Sequence, residues 1–233
     1  MTSLDDLLNQ QIDYYDARAP EYDQWFLRQG RYDRGEEHRA RWQAEIAHVA
    51  RALETACPGG DVLELASGTG LWTRRLAPSC DRLTAVDASA NAIELCRRRV
   101  DAPHVEYITD DIFRWRPDRR FDFIFFGFWL SHVPEQRFGA FWSLVRDALK
   151  PGGQAYFVDS LFTSASSAMD HGPVDRSGIS ARKLNDGRAF RIVKVFYEPD
   201  RLTNDLSALG WTARIRTSGA FFMFGSAWRE ADD

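Results

Sequence analysis

The fold of this chain is decided by residues 62–70, which run Val62-Leu63-Glu64-Leu65-Ala66-Ser67-Gly68-Thr69-Gly70. An apolar run of strand type that contains one acidic residue gives way to small residues and glycines, and residues 72–77 then have the pattern of a helix start. A strand, a tight turn and a helix in this order are typical of the place where a doubly wound sheet holds a nucleotide-like cofactor. The glycines allow the sharp turn and let a ligand approach the backbone closely.

This turn departs from the pattern of dinucleotide-binding enzymes. From Gly68 the spacing is Gly68-x-Gly70-x-x-Thr73, so the third glycine or alanine that lets helix and strand pack closely is missing. Glu64 places a carboxylate just before the turn, where it would repel a pyrophosphate and attract a cationic ammonium group. The stretch therefore favours a cofactor with an amino-acid-like tail over NAD.

Composition and charge restrict the class of protein. The 233 residues are 44% hydrophobic and 27% charged, a normal balance for one globular domain with ample core. The net charge of −4 gives no general attraction to nucleic acid or to an anionic membrane. The three cysteines have neither a metal-ligand spacing nor a disulfide framework, so we expect a reducing compartment and no metal site. With no apolar signal core near the start and no stretch of membrane-span length, we expect a soluble, cytoplasmic protein.

The pattern of elements along the chain predicts one α/β domain over residues 1–233. Residues 1–56 are helical and rich in aromatic side chains, and form an N-terminal helical cover. Residues 57–160 alternate strands with helices, which predicts βαβ units, a parallel sheet and the cofactor-binding half. The strands of this half are expected at 62–65, 82–86, 105–109, 121–126 and 154–158, and helices at 72–76, 90–99 and 138–149.

Residues 161–233 are expected to form the substrate side of the same domain. The segment 162–186 is rich in Ser, Gly and Asp and predicts a long loop of the kind that is usually functional. It is followed by a predicted strand at 190–197, a helix at 199–209 and a pair of antiparallel strands at 212–217 and 221–228.

Several predicted strands end in acidic residues, at the edge where ligands bind to open α/β sheets. Strand one ends near Glu64, strand two at Asp87 and strand three at Asp110-Asp111. Asp87 lies 17 residues beyond Gly70 and is suited to accept hydrogen bonds from a ribose diol. NAD enzymes share that feature, so the combination of acidic positions is more informative than any one of them.

Four motifs together resemble those of class I S-adenosylmethionine-dependent methyltransferases, of the type that acts on small molecules in bacterial natural-product pathways. They are Glu64-x-Ala66-x-Gly68-x-Gly70, Val86-Asp87-Ala88-Ser89, Thr109-Asp110-Asp111-Ile112-Phe113 and Lys150-Pro151-Gly152-Gly153. The resemblance implies a Rossmann-like, doubly wound, mostly parallel sheet of seven strands with an antiparallel last strand. Ala66 departs from the family pattern, which usually has a glycine there, although a small residue suffices for the turn.

The resemblance implies that S-adenosyl-L-methionine is the cofactor and S-adenosyl-L-homocysteine the product. Gly68 and Gly70 would pass under the methionine part, and Glu64 would hold its ammonium group through water. Asp87 would bind the two ribose hydroxyls, with Ala88 or Ser89 beneath the adenine.

At the adenine edge, Asp111 would bond the amino group and the Ile112 backbone N–H would reach a ring nitrogen. Asp110 is the alternative to Asp111. The cofactor-binding residues expected in all are Glu64, Ala66, Gly68, Gly70, Trp72, Asp87, Ala88, Asp111, Ile112 and Gly127.

The segment after strand four, Gly127-Phe128-Trp129-Leu130-Ser131-His132-Val133-Pro134, is expected to face the acceptor. Phe128 and Trp129 would line a flat aromatic pocket whose ring faces attract a cationic sulfonium or product. His132 is the candidate general base, with bracing of the following helix as the alternative. The Asn-Pro-Pro-Tyr-like segment of methyltransferases that act on nucleic-acid amino groups is missing here.

Further candidates come from the cover and from the end of strand five. The pattern Tyr14-Tyr15-Asp16-x-x-Ala19-x-x-Tyr22-Asp23 recurs in small-molecule members of the family, where a tyrosine closes over the cofactor's carboxylate or the reacting methyl. Tyr15 and Tyr22 are the catalytic candidates, and Tyr14 is a substrate-binding candidate. Asp159 either contacts the substrate or braces its loop.

The sequence thus predicts S-adenosylmethionine-dependent methyl transfer to a small aromatic or amine-bearing metabolite, at carbon, nitrogen or oxygen, in secondary metabolism. Three alternatives are a nicotinamide-dependent oxidoreductase on the same sheet, a non-catalytic module that binds a cofactor or partner, and a methyltransferase that acts on a macromolecule. The acceptor, the methylated atom and the oligomeric state, a homodimer included, stay open. No nucleic-acid or membrane partner is expected.

Overall fold

The computed structural model describes residues 3–163 and 178–230. Its strands are β1 (Asp61–Leu65), β2 (Arg82–Asp87), β3 (Val105–Thr109), β4 (Phe121–Gly127), β5 (Leu149–Ser160), β6 (Ile179–Lys183), β7 (Ala189–Val193), β8 (Thr212–Thr217) and β9 (Phe222–Trp228). Its α-helices are α1 (Leu4–Arg18), α2 (Tyr22–Phe26), α3 (Glu36–Ala56), α4 (Thr73–Leu76), α5 (Ala90–Arg99), α6 (Glu135–Ala148) and α7 (Pro199–Ala208).

Seven of the strands form one twisted sheet in the order β3-β2-β1-β4-β5-β9-β8. Strands β1 to β5 pair in parallel, whereas β9 runs antiparallel to both of its neighbours, β5 and β8. This confirms the predicted α/β fold with a mostly parallel, seven-stranded sheet. The strand order reverses between β1 and β4, which is the switch point where such sheets bind ligands.

Helices cover both faces of this sheet, because its central strands are apolar on both sides. Successive side chains of a strand point to opposite faces, so Leu63 and Leu65 join one apolar cluster while Val62 joins the other. Phe141 and Trp142 of α6 pack on the first face. Trp42, Val49 and Leu53 of α3 pack on the second. Continuous apolar runs are typical of strands buried in this way.

The N-terminal helices and the small antiparallel sheet β6–β7 form a cover over the carboxyl ends of the parallel strands. Helix α1 begins at a capping box, in which Ser3 and Asp6 bond each other's backbone N–H groups. Gln11 links α1 to β7 and to the segment after β4. Its Oε1 accepts from Val193 N at 3.0 Å and its Nε2 donates to the His132 carbonyl at 3.2 Å.

One predicted boundary is wrong and others shift. Strand β6 lies within the segment predicted as a single long loop, of which residues 164–177 are outside the described part of the chain. The inward positions of β6 are Ser180 and Arg182, both polar and buried, so an alternating apolar pattern is missing from this strand. Strand β7 ends at Val193, earlier than predicted, and α6 begins earlier, at Glu135. Among the described residues, no helix combines the length and the apolar character needed to span a bilayer.

Candidate active site

A cavity of about 790 Å³ opens at the carboxyl ends of the parallel strands, beneath α1. We call it the first cavity. The loops after β1, β2, β3 and β4 form its floor, and side chains between Leu8 and Tyr22 form its roof. Its position outside the carboxyl ends of the parallel strands is that of a ligand site in an open α/β sheet.

The turn after β1 has the backbone conformation that its sequence predicts. Ala66, Gly68 and Gly70 have φ angles of +57°, +55° and +84°. Ala66 therefore adopts the left-handed region that side chains disfavour, which explains why the family usually has glycine at this position. A Cβ on Gly68 would meet no atom within 4 Å, so this glycine leaves open space, whereas a Cβ on Gly70 would lie 2.8 Å from Cys96 Sγ. Gly68 lines the cavity, and Gly70 allows α5 to pack closely.

Asp87 lies at the end of β2 and fixes two loops around one carboxylate. Its Oδ2 accepts from Gly68 N at 2.8 Å, and its Oδ1 accepts from Ser89 N at 2.9 Å. Burial raises the pKa of Asp87, and the two backbone N–H groups oppose that rise. Each carboxylate oxygen keeps a further lone pair, so the group is able to accept hydrogen bonds from a ribose diol in the cavity.

The loop after β3 supplies the wall expected for an adenine ring. Asp111, Ile112 and Phe113 line the cavity, together with Ala88 from the loop after β2. Asp111 Oδ1 accepts from Phe113 N at 3.0 Å, which holds the loop in a turn. Asp111 lies on the cavity wall and its neighbour Asp110 does not, which supports Asp111 as the adenine contact.

Seven of the ten expected cofactor-binding residues line the cavity, and Glu64, Gly70 and Trp72 lie behind its wall. The side chain of Glu64 is 1% exposed and shares the face of β1 with Val62. Trp72 packs beneath β4, since a Cβ on Gly127 would lie 2.9 Å from its ring. Gly127 and Trp72 therefore fit one another, and of the two only Gly127 borders the cavity.

Two predicted substrate-binding residues also lie outside the cavities of this site. Tyr14 is fully buried between α1 and the β6–β7 sheet, against Phe190 and Ile192. Asp159 is fully buried and accepts from Ser131 N at 2.8 Å and from Ser160 N at 2.7 Å. Of the two roles expected for Asp159, bracing of its loop is the one that this geometry supports.

The three catalytic candidates, Tyr15, Tyr22 and His132, all line the first cavity. Tyr15 Oη lies 2.7 Å from His132 Nε2, and His132 Nδ1 lies 2.7 Å from the Val193 carbonyl. A carbonyl only accepts, so Nδ1 carries the proton and Nε2 accepts from the Tyr15 hydroxyl. Burial, followed by the positive charge of Lys194, lowers the pKa of His132 well below its ordinary value, which keeps the ring neutral.

Beside these residues the backbone is strained. Phe128 has a φ angle of +57°, and its N–H donates to the Val158 carbonyl at 2.7 Å. A bulky residue in this region costs of order 1–3 kcal/mol and persists where the surroundings demand it. The turn brings both Phe128 and Trp129 onto the cavity wall, as the sequence predicts.

A second cavity of about 530 Å³ adjoins the first and shares Tyr15, Tyr22, Phe128 and His132 with it. The remaining residues of its wall are Arg18, Trp25, Tyr32, Ser160, Arg182, Lys194 and Phe196. The position of Ser160 beside Asp159, at the end of strand five, predicts a contact with the acceptor, whereas the other six residues were not predicted as site residues. Arg18 had a local signal, because its spacing of three residues from Tyr15 places both on one face of α1.

Comparisons with known proteins place this geometry in a family. Residues 62–153 match a family model described as a methyltransferase domain. The structure resembles that of the DhpI-SAM-HEP complex with a TM-score of 0.81 and 40% sequence identity, covering 98% of this chain and 100% of that one. The DhpI-SAH complex gives a TM-score of 0.80 and 39% identity, covering 98% and 99%.

The chain belongs to the class I S-adenosylmethionine-dependent methyltransferases. The predicted enzyme class and cofactor are thereby confirmed. Most of the residues expected to hold S-adenosylmethionine line the first cavity. The methyltransferase is 34% identical over 104 residues to nodulation protein S of Rhizobium tropici, a match that spans 43% of this chain and 43% of that protein. The glycopeptide N-methyltransferase MtfA with bound S-adenosylmethionine, at 20% identity and a TM-score of 0.58, covers 79% of this chain and 87% of its own and shows the same fold.

The cover of the methyltransferase is fastened over the cofactor cavity by two acidic residues. Asp16 accepts from Ser89 Oγ at 2.7 Å and from both the backbone and side-chain nitrogens of Asn91, at 3.0 and 2.8 Å. Asp23 accepts from Thr69 Oγ1 at 2.6 Å. Both sets of hydrogen bonds join the cover to the loops expected to hold the cofactor, so we expect the cofactor to leave slowly while these bonds are intact.

We expect Asp16→Ala to raise the dissociation rate of S-adenosylhomocysteine about tenfold. The loss of hydrogen bonds to a charged acceptor at a partly exposed position costs about 1.5 kcal/mol, which corresponds to that factor. Stopped-flow displacement measures the rate. Asp13→Ala is the matched control, because Asp13 is an exposed carboxylate on the same helix. Equal rates in both variants would show that the hydrogen bonds of Asp16 do not limit exchange.

Proposed function

We propose that the methyltransferase transfers the methyl group of S-adenosylmethionine to a hydroxyl oxygen of a small molecule bound in the second cavity. The observation that carries this proposal is the Tyr15–His132 pair, which lies where the two cavities meet. A DhpI complex that holds both SAM and HEP supports a site in which the cofactor and a second small molecule are bound together. The second cavity, of about 530 Å³ including its opening to solvent, supports a small acceptor rather than a macromolecule.

S-adenosylmethionine, which Asp87 and Asp111 would help to hold, would supply an electrophilic methyl group, and its carbon–sulfur bond would break towards sulfur as the bond to the acceptor oxygen forms. A hydroxyl acceptor must then lose its proton. Tyr15 Oη is placed to take that proton while its own proton passes to His132 Nε2. Burial raises the pKa of Tyr15 well above its ordinary value, so Tyr15 passes the proton on and stays neutral.

The surrounding side chains position the acceptor and keep water out. The rings of Trp25 and Phe128 meet edge to face with centroids 4.8 Å apart, and both line the second cavity. The cover closes the site from above. Alignment of the reacting atoms in a dry cavity is the main contribution that a protein makes to a displacement of this kind.

The positive charge around the second cavity favours some of the acceptors that the sequence left open over others. Arg18, Arg182 and Lys194 would repel a protonated amine, which disfavours nitrogen as the methylated atom, and the Tyr15–His132 pair supports oxygen. A place in natural-product metabolism stays a prediction, as does a homodimer.

We expect Tyr15→Phe and His132→Gln to lower kcat by about 100-fold or more, the usual contribution of a positioned acid–base group. The affinity for S-adenosylhomocysteine should change little. Methyl transfer is measured by mass spectrometry on HEP and on a panel of small hydroxy compounds and amines. His104→Gln is the control, because His104 precedes β3, at the amino ends of the parallel strands, and bonds the Ala77 carbonyl there. Full activity in both variants would leave His132 with a bracing role, and methylated amines without methylated hydroxyls would contradict oxygen transfer.

A further inference from the structure

We infer that the second cavity contains a binding site for a doubly charged oxyanion, formed by Arg18, Arg182 and Lys194, so that the acceptor is a small acid. The inference rests on the proposed function only in taking the second cavity as the acceptor site. The group recognised would be a phosphate- or phosphonate-type group or a pair of carboxylates.

Three separate elements bring these cations together. Arg18 is the last residue of α1, Arg182 lies on β6, and Lys194 follows β7 directly. Arg18, Arg182 and Lys194 are only 7%, 8% and 9% exposed, respectively. Removing a charge from water costs several kcal/mol unless an opposite charge or hydrogen bonds replace the water. Three buried cations around one cavity therefore call for a negative charge inside it.

The protein supplies only part of that negative charge. Lys194 Nζ lies 3.8 Å from Asp159 Oδ1 and donates to Ser131 Oγ at 2.7 Å. Within residues 3–163 and 178–230, neither Arg18 nor Arg182 forms an ion pair with a carboxylate. The cavity thus keeps two positive charges without compensation, which matches a dianion.

The hydrogen-bonding capacity of the arginines is also incomplete. Arg18 donates to Tyr32 Oη at 3.2 Å, but its Nε is buried and has no acceptor among the described residues. Arg182 donates to Ser180 Oγ and to the Ala181 carbonyl. Several arginines outside the cavity are paired with acids, as Arg82 is with Asp61 at 2.6 Å. The unused donors of the cavity point to a ligand that only accepts.

The shape of the site fits an oxyanion as well. The guanidinium carbon of Arg18 lies 5.1 Å from the Tyr22 ring centroid and 5.5 Å from that of Tyr14, which holds the planar group in place. A fixed guanidinium binds two oxygens of one group at once, which gives geometric selectivity for carboxylate and phosphate. Tyr22 and Tyr32 line the same wall.

An anion in this position would also act on the Tyr15–His132 pair. The positive charges of Lys194, Arg182 and Arg18 all contribute to the lowered pKa of His132. A bound dianion would offset them and make His132 a better proton acceptor when the acceptor is present. The site would therefore bind the acid and prepare the base in the same step.

The test is calorimetric titration of the full chain, saturated with S-adenosylhomocysteine, with two probes, inorganic phosphate and malonate. We expect saturable binding of at least one probe, and a loss of tenfold or more in both Arg18→Gln and Arg182→Gln. The stronger probe identifies the phosphate-type or the dicarboxylate source. Arg18→Lys and Arg182→Lys, which keep the charge, should recover part of the affinity. Arg116→Gln is the control, since Arg116 is exposed and bonds only backbone carbonyls of its own loop.

The outcomes separate this inference from the proposed function. Normal affinity for S-adenosylhomocysteine in each variant shows that it folds. If neither probe binds below about 20 mM, or if both bind the glutamine variants as well as the unaltered chain, the oxyanion site is refuted. If the probes bind as expected but no hydroxy acid is methylated, the site stands and the proposed oxygen transfer fails.

Discussion

Asp87→Asn is expected to weaken the binding of S-adenosylmethionine by two orders of magnitude or more. The carboxylate now accepts from Gly68 N and Ser89 N, and it has lone pairs left for the ribose hydroxyls. An asparagine side chain has the same shape, but its NH₂ group cannot accept from either backbone N–H. One loop bond and one cofactor bond to a charged acceptor are lost, at about 1.5–3 kcal/mol each.

Titration calorimetry with S-adenosylhomocysteine measures this effect. Asp110→Asn is the matched control, because Asp110 is the neighbouring acid at the same sheet edge and is exposed outside the cavity wall. Thermal unfolding of the variants without ligand shows whether the substitution also destabilises the fold through the loops that Asp87 joins. Unchanged affinity in the Asp87 variant would remove this residue from the ribose site.

The cofactor side of the molecule could be predicted because its signals are local. The strands β1 to β5 are continuous apolar runs, and the turn at Ala66 to Gly70 follows one of them directly. Asp87 and Asp111 then fall at one edge because parallel strands end together. The side-chain direction of Glu64 was predictable too, since it alternates with Leu63 and Leu65 and must point away from their face.

The cations of the acceptor side could not be predicted, because they meet only through the packing of separate elements. Arg18 is far from Arg182 and Lys194 in the sequence, and Arg182 lies on a strand without an apolar pattern. The two neighbouring tyrosines of α1 point in different directions. Tyr15 faces the cavities, whereas Tyr14 faces the β6–β7 sheet. Successive residues of a helix differ by about 100° around its axis, and only the position of the packed sheet decides which one faces the site.

Glu64→Gln should change the pH dependence of stability by about 4 kcal/mol between pH 5 and pH 9. Glu64 is 1% exposed, and its Oε2 has no partner among the described residues. Burial raises its pKa from 4.5 to about 8, with a smaller contribution from the charge of Asp87. The folded state therefore holds this proton where the unfolded chain has lost it. Stability is full below pH 4.5 and falls as the pH rises towards 8, and glutamine removes that fall.

Urea unfolding at pH 5 and pH 9 measures the difference in the free energy of unfolding between the unaltered protein and the Glu64→Gln variant. The titrations of all other groups cancel in this difference. Glu37→Gln is the control, since Glu37 is an exposed carboxylate on α3. A difference that does not change with pH would show that Glu64 is ionised in the folded free protein.

The same variant tests whether Glu64 holds the ammonium group of the cofactor from behind the cavity wall. A cation close to a buried carboxylate favours its ionised form, so binding of S-adenosylhomocysteine at pH 7 should release a proton from Glu64. Calorimetry in buffers of different ionisation enthalpy counts that proton, and Glu64→Gln should abolish its release and weaken binding. With the ligand bound, the unaltered chain should also lose the fall in stability towards pH 8. If the free protein loses stability towards pH 8 as expected but no proton is released on binding, Glu64 remains protonated beside the bound cofactor. Its place before the turn then serves the packing of β1 against Thr73 and Trp72 instead.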